Sequence, residues 1–331
     1  MRLLLLATGG TIAMHPGRPG RGAFLTGAEL LGTVPPALAK GVEVEDVVAA
    51  PSWDLDTGTM LDVAYRVRRA VLEEGYTGVV VTHGTDTIEE TAYLTDLLAG
   101  PAAALGGIVF TGAMRPAHAL SCDGPGNLAA ALTAAADPAL RGAGALVCLN
   151  DELHAARWVR KVDATTVAAF SSAPYPLLGR VHEGSVQLPA PPPPRPPAPV
   201  GDPEPAVALI TVYPGIGPEQ LTAVVDAGAR GIVLEGTGLQ NVPVSLYTTI
   251  SDLEGWGIPV VIASRVRVPG APMRRARPLV DDSGLAATVG AIGARGLPAV
   301  KARYALMAAL GTGRESARTV DGVRAWFDAL T

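Results

Sequence analysis

Short apolar runs recur along the first 150 positions, and several are followed by stretches whose apolar residues fall three and four apart. The runs at 3–7, 79–82, 108–111 and 145–149 are nearly all apolar and do not alternate with polar residues, and the run at 42–48, with Glu43, Glu45 and Asp46 among its valines, is read as a strand with them. That pattern suits strands covered on both faces of a parallel sheet. The stretches at 60–74, 87–99 and 125–136 carry a single apolar stripe and read as helices. In the first, Leu61, Ala64, Val67, Val71 and Leu72 share a face, while Arg66, Arg68, Arg69 and Glu73 point away. The alternation resumes with strands at 207–212, 231–234 and 259–263, and helices at 218–227, 245–254, 285–291, 299–310 and 316–330. Strand and helix in turn imply right-handed βαβ units and layered α/β domains.

Between the two series, residues 189–205 hold ten prolines in seventeen positions. Proline fixes φ and lacks a donor, so this stretch joins neither a helix interior nor a central strand. It reads as a semi-rigid connector, in preference to a PxxP ligand for another module. The chain therefore divides into an N-terminal α/β domain (1–188), a linker (189–205) and a C-terminal α/β domain (206–331). The expected architecture is two three-layer α/β domains, the larger N-terminal one built on a mostly parallel sheet.

Composition narrows the function. With 331 residues, 48% apolar and only 17% charged, the chain is long enough for two packed cores and is not disordered. Lys and Arg total 26 against 31 Asp and Glu, a formal charge of −5. That balance argues against nucleic acid or an anionic membrane as the main partner. Two cysteines, Cys122 and Cys148, make no disulfide framework, and neither CxxC nor HExxH occurs, so no metal is expected. The opening apolar run breaks at Thr8-Gly9-Gly10, too short for a signal core, and no window reaches the length of a membrane span. A soluble, cytoplasmic protein is expected.

In open α/β sheets ligands bind beyond the carboxyl ends of strands. After the first strand comes Thr8-Gly9-Gly10-Thr11; after the second, Ser52, Trp53 and Asp54; after the third, Thr82-His83-Gly84-Thr85-Asp86-Thr87; after the fourth, Gly112-Ala113-Met114-Arg115. After the fifth come Asn150 and Asp151, with Lys161 ten residues on. Helix capping, by Thr87 with Glu90 or Asp86 with Glu89, accounts for one or two of these polar groups. It does not account for Thr11, Thr85 and Lys161 together. GxGxxG, GxxxxGK[ST] and GxSxG are all absent, which disfavours phosphate cradles and the serine nucleophile elbow. A threonine hydroxyl is a weak nucleophile that needs a base, and a lysine serves if burial lowers its pKa. Glycines such as Gly10 and Gly84 let main-chain N–H groups approach a developing oxyanion. The pattern points to acyl transfer at a threonine. His83 reads as a turn residue bonded to backbone as readily as a catalytic one.

These residues resemble a known family. ATGGTIA (7–13) and THGTDTIEETAYLTDLL (82–98) are similar to the two signature segments of bacterial-type L-asparaginases, the asparaginase/glutaminase amidohydrolases. TGAMRP (111–116), DGPGNLAAA (123–131), VLEGTGLQN (233–241) and SRVRVPGA (264–271) resemble later segments. The resemblance implies a homotetramer of tight dimers, with the active site between the N-terminal domain of one subunit and the C-terminal domain of its neighbour. It implies hydrolysis of a side-chain amide to a carboxylate and ammonia through a threonine acyl-enzyme, without a cofactor. Thr11 matches the nucleophile; Thr85, Asp86 and Lys161 match a second constellation, the lysine through the less specific segment WVRKVDATTVAAF (158–170). Ser52 matches a ligand of the substrate α-carboxylate and Asp86 a ligand of the α-ammonium. Ala113 lines the site through its main chain, and Asn241 reaches in from the neighbour.

Three departures stand out. A loop tyrosine that assists the nucleophile aligns with Phe24, its glutamate partner falls near Leu279, and a glutamine on the α-ammonium is Trp53. The expected consequences are proton transfer by Lys161 through Thr85, a raised KM, and exclusion of the longer glutamine. Residues 15–22 read as a lid over the site. Arg265, Arg267, Arg274, Arg275 and Arg277 read as a solvated loop paired with Asp281 and Asp282. Competing functions are an amidase subunit for tRNA-dependent amidation, disfavoured because the chain opens at its first strand, an amidase for a related amide lacking a free α-amino group, and a catalytically weak amino-acid-binding protein, favoured by Phe24 and the residue near Leu279.

Overall fold

The computed structural model describes residues 2–15, 24–195, 198–199, 201–266, 284–311 and 319–330. The expected lid residues 16–22, Leu279, and Arg267, Arg274, Arg275, Arg277, Asp281 and Asp282 of the basic segment lie outside the described residues. The chain divides into two units, Met1–Pro193 and Pro194–Thr331. Both are α/β, the first larger and mostly parallel, as the alternation predicts.

The first unit carries strands β1 (Leu3–Gly9), β2 (Val42–Ala50), β3 (Gly78–Thr82), β4 (Gly107–Thr111), β5 (Ala145–Leu149), β6 (Glu152–Ala155), β7 (Arg160–Lys161), β8 (Phe170–Ser171), β9 (Gly179–His182) and β10 (Ser185–Gln187). Its helices are α1 (Gly27–Leu31), α2 (Pro36–Ala39), α3 (Thr57–Leu72), α4 (Ile88–Ala99), α5 (Ala102–Leu105) and α6 (Gly124–Ala136). Eight strands form one sheet in the order β10-β9-β6-β5-β4-β3-β1-β2, and β7 and β8 pair apart from it. The strands from β2 across to β5 are parallel. Alternate residues of each buried strand face opposite layers: Leu3, Leu5, Val80, Val109 and Leu146 join Leu128, Leu132 and Leu140 in one core. That core lies under α6, while α3, α4 and α5 pack on one another over the other face.

Strand order sets the position of the ligand crevice. β1 has β2 on one side and β3 on the other, so consecutive connections leave β1 and β2 in opposite directions. This is a topological switch point, where the loops beyond the strand ends splay apart.

In the second unit β11 (Val207–Thr211), β12 (Gly231–Gly236), β13 (Val260–Ser264) and β14 (Ile292–Gly293) form a parallel four-stranded sheet in sequence order. Helices α7 (Glu219–Asp226), α8 (Tyr247–Gly255), α9 (Ala299–Leu310) and α10 (Val320–Asp328) complete it. Leu221, Leu246, Ile250 and Leu253 pack with Ile232, Leu234 and Ile262 on one face, and α9 covers the other.

Several elements differ from expectation. β2 is an edge strand, half-exposed along its length; its Glu43 and Glu45 pair with Arg2 and Arg66, charges that blunt an open edge. Arg66 does not point away from the sheet: its side chain is largely buried between Glu45 and Glu74, while Leu72 is exposed. The chain after β5 leaves the βα repeat, because Asn150 and Asp151 both take left-handed backbone and turn it back into β6. The strand-end pair Asn150-Asp151 is therefore a hairpin turn. The expected helix at 285–291 is only a 3₁₀ stretch, Gly284–Val289, running into β14. No helix among the described residues is long and apolar enough to cross a membrane.

The closeness of α6 to the sheet depends on glycine at the strand starts. A Cβ on Gly78 would lie 2.2 Å from the Ala135 carbonyl oxygen, and one on Gly107 2.7 Å from it. Gly78→Ala is expected to cost about 1–3 kcal/mol by overpacking, measured as a lower urea midpoint with an unchanged slope.

Candidate active site

Three strand ends meet beyond the switch point. Gly9 and Gly10 follow β1 with φ of 91° and 78°, left-handed values that glycine adopts without a Cβ clash. They turn the chain into a single 3₁₀ turn, Thr11–Ala13, so that Thr11 emerges at the sheet's carboxyl edge. The loop after β3 brings Gly84 against Gly10; a Cβ on Gly10 would lie 2.3 Å from the Gly84 Cα. A Cβ on Gly84 would in turn lie 2.6 Å from Ser52 Oγ, after β2. Thr87 Oγ1 donates to the Ser52 carbonyl at 2.9 Å and ties the second loop to the third.

A small pocket opens there, lined by Gly10, Thr11, Met14, Pro51, Ser52, Trp53, Gly84, Thr85 and Asp86. Seven of these nine are residues singled out in the sequence; Met14 and Pro51 are additions. Thr11 is half-buried and Thr85 buried, while Asp86 and Trp53 are exposed. Lys161 Nζ donates to Thr85 Oγ1 at 2.9 Å and to Asp86 Oδ1 at 2.6 Å. The lysine, seventy-six positions from Thr85, thus joins the pocket from behind. The Ser52 hydroxyl is buried with no hydrogen-bond partner among the described residues, which leaves it available to a ligand oxygen.

Other singled-out residues lie off the pocket wall. Asp54 is exposed on the turn after Ser52. Ala113 is buried just beyond β4, next to Gly112, whose Cβ position is 3.2 Å from Thr85 Cγ2. Phe24 is half-buried and packs against the core beneath α6. Asn241 belongs to the second unit. It is exposed beyond the carboxyl end of β12, in a tight turn closed by reciprocal hydrogen bonds with Thr237 at 2.7 and 2.9 Å.

His83 is scaffolding. Its Nδ1 lies 2.8 Å from the Gly84 carbonyl, which only accepts, so Nδ1 carries the proton and Nε2 accepts from Thr91 Oγ1 at 2.9 Å. Burial pushes its pKa down to about 4, only partly offset by the bond to Gly84. The expected capping box is absent. Thr87 makes no side-chain cap, and Glu89 Oε2 instead accepts from the Lys161 main-chain N–H at 3.0 Å. A capping box does occur at Thr26 with Glu29. The role of Glu89 was hidden because its partner lies seventy-two positions away. No group of three or more His, Cys, Asp or Glu suited to a metal occurs among the described residues.

The unfolded chain protonates His83 near the ordinary value of 6.5 and the folded chain only near 4, so between these the unfolded state binds more protons. This contribution is therefore complete above about pH 6.5 and is lost as pH falls toward 4, amounting to about 3 kcal/mol. Urea unfolding at pH 7 and pH 4.5 checks it; His83→Gln is expected to flatten that dependence.

Comparison with known proteins places the chain. Residues 2–194 match the family model for the asparaginase N-terminal domain, and residues 206–323 that for the glutaminase/asparaginase C-terminal domain. L-asparaginase 2 of Escherichia coli (strain K12) is 35% identical over 319 residues, covering 93% of this chain and 88% of that protein. The glutaminase-asparaginase of Pseudomonas aeruginosa is 33% identical over 286 residues, covering 83% and 78%. The crystal structure of a probable cytoplasmic L-asparaginase from Campylobacter jejuni matches with a TM-score of 0.81 at 29% identity, covering 98% of each chain. With both domains matched and strand-end threonines in place, the chain belongs to the asparaginase family.

Proposed function

We propose that the protein hydrolyses L-asparagine to L-aspartate and ammonia through an acyl-enzyme on Thr11. The observation that carries this reading is the Lys161 ammonium group bonded at once to Thr85 Oγ1 and Asp86 Oδ1 on the wall of the pocket that Thr11 also lines. In the first step Thr11 Oγ1 attacks the side-chain amide carbon, and its proton passes by way of Thr85 into the Lys161–Asp86 pair, which gives it up again to the leaving nitrogen. No described residue accepts from the main-chain N–H groups of Thr11 and Thr85, so both are available to the oxyanion. Collapse breaks the C–N bond, and the leaving nitrogen takes the proton to depart as ammonia. In the second step Thr85 and Lys161 draw a proton from water, which attacks the Thr11 ester. Thr11 then leaves with a proton, and aspartate is freed.

Substrate recognition follows from the same wall. The unpartnered Ser52 hydroxyl takes the α-carboxylate and the exposed carboxylate of Asp86 takes the α-ammonium. Trp53, 63% exposed on the rim, stands where a second ammonium ligand is expected and shortens the pocket against glutamine. With Phe24 packed on the core and lacking a hydroxyl, proton transfer at Thr11 falls to the Lys161–Thr85 pair. We read the enzyme as cytoplasmic, as the Campylobacter jejuni neighbour is named. We also read it as a homotetramer, with Asn241 supplied to each site by a neighbouring copy.

Thr11→Ala and Thr85→Ala are each expected to lower kcat for ammonia release about a thousandfold or more, with the double variant no worse than the worse single one. Lys161→Met should lower it about a hundredfold or more; turnover unchanged by this substitution would remove Lys161 from the mechanism. L-asparagine bound by the wild-type protein without ammonia release would instead favour a binding protein, the reading to which the loss of a loop hydroxyl at Phe24 lends weight.

Trp53→Gln restores an ammonium ligand and opens the pocket. It should lower KM for L-asparagine several-fold and raise the glutaminase-to-asparaginase ratio about tenfold, measured by steady-state kinetics on both amides.

A further inference from the structure

Lys161 sits on an excursion of the chain. β7 and β8 form a two-stranded ribbon outside the eight-stranded sheet, so the sheet's own ladder does not fix the lysine. Ribbon flanks are held by a His154 Nδ1–Ser172 Oγ hydrogen bond of 2.8 Å and by the stacked rings of Trp158 and Tyr175. Neither contact touches Lys161 itself.

In an antiparallel pair, successive N–H groups along a strand point alternately toward and away from the partner. The Val162 N–H points toward the β8 side and donates to the Ala169 carbonyl at 2.7 Å. The Lys161 N–H therefore points the other way, where Glu89 Oε2 accepts it at 3.0 Å. Glu89 is buried in the first turn of α4. Thr85 and Asp86, the two side chains that hold Lys161 Nζ, lie just ahead of the same helix. A five-residue stretch, 85–89, thus grips the lysine at both ends, main chain by Glu89 and ammonium by Thr85 and Asp86.

We infer that Glu89 is a positioning residue for the amide hydrolysis: its carboxylate sets the height of β7 above α4, so that Lys161 Nζ meets Thr85 Oγ1 at hydrogen-bonding distance. The inference rests on the proposed role of Lys161. A lysine stem is long and has many rotors, so its tip stays on one hydroxyl only if its Cα is held as well. A carboxylate accepting from an amide N–H makes a stronger, shorter-range hold than a neutral acceptor. Glu89 touches no residue of the pocket wall through its side chain in the hydrogen bonds described, and acts only through Lys161.

The test compares Glu89→Gln, Glu89→Asp and Glu89→Leu with wild type, in kcat and KM for L-asparagine and in melting temperature, with Lys161→Met measured in parallel. Glu89→Gln keeps an acceptor at the same reach and should retain kcat within about threefold. Glu89→Leu removes the acceptor and should lower kcat about tenfold to a hundredfold, the effect of displacing a reacting group by about 1 Å, with KM changed far less. Glu89→Asp withdraws the acceptor by one methylene and should fall between them, which decides the matter if the leucine variant does not fold. Wild-type kcat in the aspartate or leucine variant, or a loss in Glu89→Gln as large as in Glu89→Asp, overturns the positioning role. Full turnover in Lys161→Met overturns the reading of Lys161 itself, a separate and recognisable failure.

Discussion

Main-chain contact between the loops after β1 and β3 is the constraint on which the site depends. The space where a Cβ on Gly10 would stand is filled by Gly84 backbone, and the space beside Gly84 by the Ser52 side chain. Neighbouring strands in a sheet are about 4.8 Å apart, and loops leaving three such strands diverge unless something draws them together. Here the absence of two side chains allows it. Thr11, Ser52 and Thr85, from three separate strand ends, then line one small pocket. Any larger residue at either glycine pushes apart the hydroxyls that the chemistry brings together.

Around that contact, some buried polar groups are satisfied, while the hydroxyls of Ser52 at the pocket and of Thr82 at the end of β3 are not. Thr8 Oγ1 donates to the Thr82 carbonyl, Thr111 Oγ1 to the Cys148 carbonyl, and Asn127 spans Gly112, Asp123 and Asn150. His83 is kept neutral by burial and spends both ring nitrogens on Gly84 and Thr91. These bonds stiffen the loop ends. The Ser52 hydroxyl is buried at the pocket without a partner, the signature of a group waiting for a ligand oxygen. Charge reaches the pocket through Asp86 and Lys161, at the place where a zwitterionic substrate would need it.

The two units use the same local logic for different ends. In the second unit Asn241 is also presented beyond the carboxyl end of a parallel strand, in a turn that requires left-handed backbone at Gly238 and Gln240. Its edge strand β11 has Leu209 and Thr211 exposed, unlike the buried inner strands β12 and β13. The edge of β2, by contrast, carries charged pairs.

What the sequence determined by itself was the repeat of strand and helix, the division near the proline-rich segment, and which loops carry hydroxyls. Those features are local: apolar runs, helical spacing and glycine pairs report on a few neighbouring residues, and their meaning survives without knowing what packs on them. The family resemblance added the roles proposed for Thr11, Thr85, Asp86 and Lys161. Tertiary structure decided the rest. It placed β2 at an edge, buried Arg66 between two glutamates, turned Asn150 and Asp151 into a hairpin and reduced the segment after Gly284 to a 3₁₀ turn. It also moved Glu89 from a helix cap to the main chain of Lys161. The edge position of β2, the burial of Arg66 against Glu45 and the bond from Lys161 to Glu89 depend on partners outside the segment concerned, and hydrogen bonds and ion pairs carry no mark of such a partner in the composition of their own segment.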